Sequence, residues 1–356
     1  MRRLPLFALT ALSLLAPARA SVAPPPPEDA VIDTLAFGSC ARQDKPQPIW
    51  DEIAAHEPDV FLFIGDNMYA DLDRGRRGVT LADVAHTYVE LSNVEPFARF
   101  RQGVPILATW DDHDYGLNDA GRELPFKRGS QLALLQFFRE PVDSPRWDRE
   151  GVYGSWVFGP EGRRVQVIVL DTRYFRDAVD RRAGGRPPRR GPYQPTEDDT
   201  RTLLGEAQWA WLAGELQEPA DVRIVASSIQ VVPWEHGWES WGNFPHERRR
   251  LFELIDETQA HGVVFVSGDR HLMEISRADH PEAPYPMWDF TSSGLNENPR
   301  PVREPNRFRV GPVVRDTNYG VVEIDWHADP VTLTLTGRGR GDTVHTQQVI
   351  ELDTLR

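Results

Sequence analysis

The stretch Asp59-Val-Phe-Leu-Phe-Ile-Gly-Asp66-Asn-Met-Tyr69 decides the fold. Val60 to Ile64 is apolar at every position, with no alternation, as in a short strand buried on both faces. It stops at Gly65-Asp66, where a carboxylate follows directly on the strand end. Five other runs share this design. Thr34-Leu-Ala-Phe ends at Gly38-Ser39-Cys40, and Val104-Pro-Ile-Leu-Ala-Thr ends at Trp110-Asp111-Asp112-His113. Val165-Gln-Val-Ile-Val-Leu ends at Asp171-Thr172-Arg173, Arg223-Ile-Val-Ala-Ser ends near Ile229-Gln230, and Gly262-Val-Val-Phe-Val ends at Ser267-Gly268-Asp269-Arg270-His271.

Helical spacing lies between several of these runs. Ile49 and Ile53 are one turn apart. Trp209, Leu212 and Leu216 follow a three-then-four spacing after a Thr196…Asp199 capping signal. Leu251, Leu254 and Ile255 mark a further helix, closing at His261-Gly262. From about Tyr319 the pattern changes, and Val321, Ile324, Val331, Leu333 and Leu335 predict antiparallel strands joined by turns. The expected architecture is one α/β domain with a β-rich C-terminal portion. Ligands of open α/β sheets sit beyond the carboxyl ends of the strands, which here carry Cys40, Asp66, Asp112, Asp171 with Arg173, and Asp269 with His271. One acid after a strand is often a helix cap. Five such clusters at corresponding positions favour a site.

Composition removes other classes. The chain has 356 residues, 40% hydrophobic and 26% charged, which excludes a disordered, collagen-like or multi-spanning protein. A formal charge of −14 argues against dedicated nucleic-acid binding. Cys40 is the one cysteine, so no intrachain disulfide forms. Residues 1–20 read as a signal peptide: Met1-Arg2-Arg3, an apolar Leu4–Leu15, then Ala18-Arg19-Ala20 as the cleavage signature. The apolar run is too short for a stable membrane anchor. Arg2-Arg3 leaves both the general and the twin-arginine export routes open. Cleavage near Ala20 moves the charge to −17. Residues 21–32, with Pro24–Pro27, form an extended spacer. The mature protein is expected in the periplasm or secreted, as a monomer.

Asp, His, Asn and Cys converging without a serine elbow or a glycine-rich phosphate cradle point to metal. Gly65-Asp66-Asn-Met-Tyr69 sets a carboxylate and a phenol three residues apart. Asp269 and His271 are two apart, so both can point the same way from an extended strand end. A carboxylate bridging two cations is the usual core of a two-metal hydrolase.

The set Phe37-Gly-Ser-Cys40, Gly65-Asp66-Asn-Met-Tyr69, Trp110-Asp-Asp-His-Asp114 with Asn118, Asp171-Thr-Arg173, and Ser267-Gly-Asp-Arg-His271 resembles, in order and from about residue 33 onward, the alkaline phosphatase D family of the calcineurin-like metallophosphoesterases. Leu203-Leu-Gly-Glu-Ala-Gln-Trp209 resembles that family's helix after its Arg motif. The resemblance implies a layered sandwich of two mixed β-sheets flanked by helices. Residues 33–356 would form a single catalytic domain, and the family's N-terminal β-sandwich would be missing. It implies that Cys40, Asp66, Tyr69 and His271 hold one ion, and Asp66, Asn118 and Asp269 a second. Thiolate with phenolate suits Fe3+; the all-oxygen site suits Ca2+ or another divalent ion. Arg173 would bind phosphoryl oxygens, and a metal-activated hydroxide would attack phosphorus in line. His113 either handles protons or is a structural histidine.

Two further stretches stand near the site. Arg176, Arg181, Arg182, Arg186, Arg189 and Arg190 crowd a Gly/Pro-rich segment, read either as a solvated loop or as a positive funnel for an anion. Trp234-Glu-His-Gly-Trp238-Glu-Ser-Trp241 is read as a pocket wall, with His236 and Trp241 as substrate contacts beside Arg173 and Asn118. The functional expectation is an exported phosphomonoesterase acting on a small phosphate ester. The alternatives are a phosphodiesterase or phospholipase D-type hydrolase with the same metal site, and a periplasmic phosphate- or metal-binding protein without turnover.

Overall fold

A computed structural model describes residues 22–72, 78–297 and 302–356; the expected signal peptide lies outside the described residues. Two mixed sheets stack face to face. In the first, β1 (Thr34–Gly38), β2 (Val60–Ile64) and β3 (Ile106–Thr109) run parallel. The chain's C-terminal meander joins β1 on the other side: β13 (Asn318–Asp325), β14 (Thr332–Gly339) and β15 (Thr343–Glu351), all antiparallel as the late apolar alternation predicts. In the second sheet, β5 (Val165–Val169), β8 (Val222–Ser227), β9 (Val263–Ser267) and β11 (Met287–Ser292) are parallel. The antiparallel strands β4 (Gly154–Phe158), β10 (Met273–Ala278) and β12 (Arg309–Val314) complete it.

The strand that opened the reading shows why both faces are apolar. Val60, Leu62 and Ile64 face the second sheet and join the core that includes Val167, Val225 and Phe265. Phe61 and Phe63 face the other way, into a cluster with Trp50, Phe97 and Phe100. That outer cluster is built by α1 (Ile49–Ala54), α2 (Leu81–Ser92), α3 (Glu95–Gly103) and α5 (Lys127–Phe138). Each such side chain contributes roughly 1.5–3 kcal/mol when taken from water, so the strand is held from both sides. Trp209 and Leu212 of α6 (Gly205–Glu215), with Leu251, Phe252 and Ile255 of α7 (Pro245–Glu257), join the core that contains the second sheet.

Two local expectations differ from the structure. Thr196…Asp199 does not cap α6; it forms a turn in which the Asp198 N–H donates to Thr196 Oγ1 at 3.2 Å. The helix start is held from a distance, by Thr202 Oγ1 accepting from the Gly205 N–H and by Glu247 of α7 accepting from Leu203 and Leu204. The proline segment is a strap, not a spacer. The Ala23 N–H donates to the Arg101 carbonyl at 2.8 Å, and the Gly159 N–H to the Glu28 carbonyl at 2.8 Å. Residues 22–25 lie beside Ile106–Ala108 and Trp156, on the sheet-edge strands β3 and β4. Proline offers no N–H to the ladder, so such a segment covers edges without extending them.

Candidate metal centre

The carboxyl ends of β1, β2, β3, β5, β8 and β9 meet at one end of the sandwich, around a cavity of about 370 Å³. Gly65 makes the approach of β2 to β3 possible. At φ +102° a side chain there would place its Cβ 2.6 Å from Asp111 Cβ and 2.8 Å from the Asp111 nitrogen. Asp114, in the short helix α4 (Asp112–Tyr115), ties the same two loops together. Its carboxylate accepts from the backbone N–H of Asp66 at 3.2 Å, Asn67 at 3.3 Å and Asp111 at 2.7 Å.

Four of the sequence-predicted donors converge. The Cys40 thiol donates to Asp66 Oδ2 at 3.4 Å, and the Tyr69 hydroxyl donates to the same oxygen at 3.1 Å. Tyr69 Oη also lies 3.2 Å from His271 Nε2. Cys40, Asp66, Asp269 and His271 all adopt left-handed backbone conformations, with φ of 64°, 49°, 66° and 49°. Residues other than glycine pay for that geometry, and such strain concentrates where a side chain must be aimed.

The donor chemistry fits a cation. Burial, then the neighbouring Asp66 carboxylate, pushes the Cys40 thiol up, and the same two causes push the Tyr69 phenol up. Burial likewise raises the Asp66 carboxyl well above its usual range, and it depresses His271 to about 4. With protein alone around them, all four groups are driven toward neutrality. A positive ion among them would favour thiolate, phenolate and carboxylate, and imidazole is already in its ligating form.

Asp66 is shared with a second group. Ligand atoms of Asp66, Asp112 and His113 lie within 4.8 Å of one another, as do those of Cys40, Asp66 and His271. A shared carboxylate is what a bridge between two ions requires. Asn118 and Asp269 line the same cavity, beside Asp112, though neither belongs to these two groups. Asp112 is therefore a donor that the motif reading quoted without assigning. The signal was present, because it adjoins His113 in Trp110-Asp-Asp-His. His113 donates its backbone N–H to Asp112 Oδ1 at 2.9 Å, while its Nδ1 lies 2.6 Å from Asp71 Oδ1. Burial alone would depress His113, but Asp112, Asp66 and Asp71 outweigh it and raise the imidazole well above its ordinary value.

Three expected substrate contacts are placed elsewhere. Arg173 is fully buried behind the cavity, not on its wall. Its Nε donates to Asp111 Oδ1 at 2.6 Å, and its Nη1 lies 2.8 Å from Glu239 Oε2. Both carboxylates neutralise the charge that was expected to meet phosphate. Trp241 is buried on Trp209, with its Nε1 donating to Ser227 Oγ at 3.0 Å. His236 is buried too, and neither it nor Trp241 lines the cavity. The tryptophan of that segment on the wall is Trp238.

The arginine-rich stretch is neither a solvated loop nor a funnel throughout. A short hairpin, β6 (Asp180–Arg181) with β7 (Tyr193–Gln194), anchors it. Arg176 is buried, paired with Glu239 and donating to the carbonyls of Asp119 and Ala120. Arg190 donates to the Glu235 carbonyl at 2.6 Å. Of the six arginines, Arg186 alone stands on the cavity wall.

Two stacked mixed sheets with a cluster of acids, histidines and a thiol beyond their strand ends define a metallophosphoesterase-like architecture. Residues 35–335 match the model of the PhoD-like phosphatases, and the chain belongs to that family. Alkaline phosphatase D of Bacillus subtilis (strain 168) is 24% identical over 273 residues, which is 67% of this chain and 46% of the relative. The chain thus spans under half the length of that curated relative. Among solved structures, one of PhoD superposes with a TM-score of 0.73 at 19% identity, covering 94% of this chain and 72% of the other. The purple acid phosphatase PPD1 of yellow lupin seeds gives 0.59 at 12% identity, over 92% of this chain and 55% of that one. GAP50, described as the anchor in the inner membrane complex of Plasmodium, gives 0.55 at 14% identity, over 91% and 90%. At these identities the structures speak for the fold alone.

Proposed function

We propose that this chain is an exported, metal-dependent phosphoric ester hydrolase acting as a phosphomonoesterase. The observation that carries this reading is the Asp66 carboxylate, which lines the cavity and has ligand atoms of Cys40 and His271, and also of Asp112, within 4.8 Å. Cys40, Asp66, Tyr69 and His271 would hold one ion, of ferric type by its thiolate and phenolate donors. Asp66, Asp112, Asn118 and Asp269 would hold the other, a calcium-like or other hard divalent ion. When bound, the pair supplies an activated water and offsets charge on the phosphoryl oxygens.

The chain's own side chains would do the rest. Asp71 fixes the His113 ring through Nδ1, which leaves Nε2 to give a proton to the departing alkoxide. The ring is further steadied against Tyr69, at 4.2 Å between centroids. Arg173 acts as a positioning residue, holding Asp111 and Glu239 in place from behind the wall.

The test pairs elemental analysis of the purified protein with rates on a phosphate monoester and a diester. The expected result is two metals per chain, with hydrolysis abolished by chelator and restored by metal. A metal-free protein whose rate ignores chelator would overturn the reading. Cleavage of the diester alone would replace monoesterase with diesterase.

A further inference from the structure

Arg173 and Arg270 stand at the same end of the sandwich, and their charges are spent differently. Arg173 meets two carboxylates and no cavity. Arg270 lies on the cavity wall, between Asp269 and His271. Its Nε is buried with no hydrogen-bond partner, and among the described residues its guanidinium forms no ion pair. With no carboxylate of a described residue at ion-pair distance, the guanidinium keeps its charge for an anion in the cavity.

The surroundings fix its direction. The Arg270 guanidinium carbon is 5.5 Å from the Trp238 ring centroid, and that of Arg186 is 4.6 Å from the same ring. Trp238 is itself held, with its Nε1 donating to Glu304 Oε1 at 3.0 Å. Glu304 offsets Arg186, 3.7 Å away. One indole therefore orients two cations on a wall shared with Asp66, Asp112 and His271.

Resting on the hydrolase reading above, we propose that Arg270 is the residue that grips the non-bridging oxygens of the phosphoryl group. Arg186 is offset by Glu304, so the unpaired Arg270 guanidinium is the charge that favours a dianionic phosphate monoester over a monoanionic diester. The planar fork of arginine suits two oxygens of one phosphate. The second negative charge of a monoester is what a diester lacks.

The test uses the full chain with its metals and three variants: Arg270→Gln, Arg270→Lys, and Arg99→Gln as a control for charge removal on the exposed face of α3. Metal content, calorimetric affinity for inorganic phosphate, and kcat/KM on p-nitrophenyl phosphate and bis(p-nitrophenyl) phosphate are read for each. Arg270→Gln is expected to keep its metals and weaken phosphate binding by about tenfold or more. Its kcat/KM should fall on the order of 100-fold for the monoester and less for the diester. Arg270→Lys should recover part of the phosphate affinity, and Arg99→Gln should match the parent. Unchanged phosphate affinity, equal losses on both esters, or metal loss in Arg270→Gln would each overturn the assignment. Failure of the hydrolase reading looks different: the parent protein would then bind no metal and cleave neither ester.

Discussion

The sandwich has a cavity at each end, of similar size and opposite character. Beyond the strand carboxyl ends it measures about 370 Å³; the one bordered by Asp221, Arg223 and His261 measures about 340 Å³. In the second, the polar groups are satisfied internally. Arg223 donates to Gln166 Oε1 and to the carbonyls of Ala220, His261 and Glu218, and Asp221 Oδ2 accepts from the Arg164 N–H. Gln259 is left-handed there, at φ 53°, as the residue that stops α7: its N–H returns to the Asp256 carbonyl and the next N–H to Ile255. At the first end, Cys40, Asp66, Asp269 and His271 are left-handed after strands, where no helix is being closed. Arg270 Nε and Asp111 Oδ2 are buried without partners. Volume does not separate a site from a surface hollow. Strain and unsatisfied polar atoms with no architectural purpose do.

The largest effect expected from that contrast comes at the shared carboxylate. Asp66→Asn should lower the rate by at least about 1,000-fold, because several kcal/mol of charge stabilisation are lost together. Elemental analysis should find both metals depleted. A variant with full metal and full rate would remove the basis for calling this end the functional one. Cys40→Ala comes next, at about 100-fold or more, with one metal lost per chain and a thermal midpoint close to the parent. Unfolding in place of metal loss would make Cys40 a core residue like its apolar neighbours.

The first end was legible in part in the sequence. Strands buried on both faces announce themselves as continuous apolar runs, so β1, β2, β5 and β9 and the residues that follow them could be placed. Asp66 and His271, 205 positions apart, were placed on one edge by their strand ends, and the family resemblance implied that they share an ion. The fate of a charge is not local in this way. Arg173 is silenced by Asp111 and Glu239, which lie 62 and 66 positions from it, and nothing near Arg173 signals either partner. The start of α6 was hidden for the same reason, since Glu247 on another helix supplies its cap. Trp238 and Trp241 are three residues apart and alike in composition. Only packing decides that one faces solvent space and the other Trp209.

A smaller and more specific effect is expected at His113, which tests whether the first end does acid–base chemistry or only binds metal. His113→Asn should retain both metals and lose on the order of 100-fold in kcat. The sign of its pH dependence follows from its neighbours. With Asp66 and Asp112 holding ions, the Asp71 carboxylate 2.6 Å from Nδ1 is the neighbour that still raises the imidazole against the opposing pull of burial, and it favours the protonated form. A proton donor of that kind fails as pH rises through the elevated pKa. The parent should show an alkaline limb in its rate profile, and the variant should lack it. An unchanged limb would assign the proton to another group.

The smallest effect on activity belongs to the opposite end, and it closes the contrast from the other side. Arg223→Gln removes a guanidinium that satisfies three backbone carbonyls and the Gln166 side chain. The shorter amide cannot reach all of them, and each buried acceptor left unpaired costs roughly 1–3 kcal/mol. Denaturation should show a loss of that order, while kcat/KM for the folded enzyme stays within about twofold of the parent, because a structural arginine acts on the fraction folded and not on the transition state. A large fall in kcat with stability intact would mean that the two ends are coupled through β8, the strand that carries Arg223 at one end and runs to Ser227 and Ser228 beside Asp111 at the other.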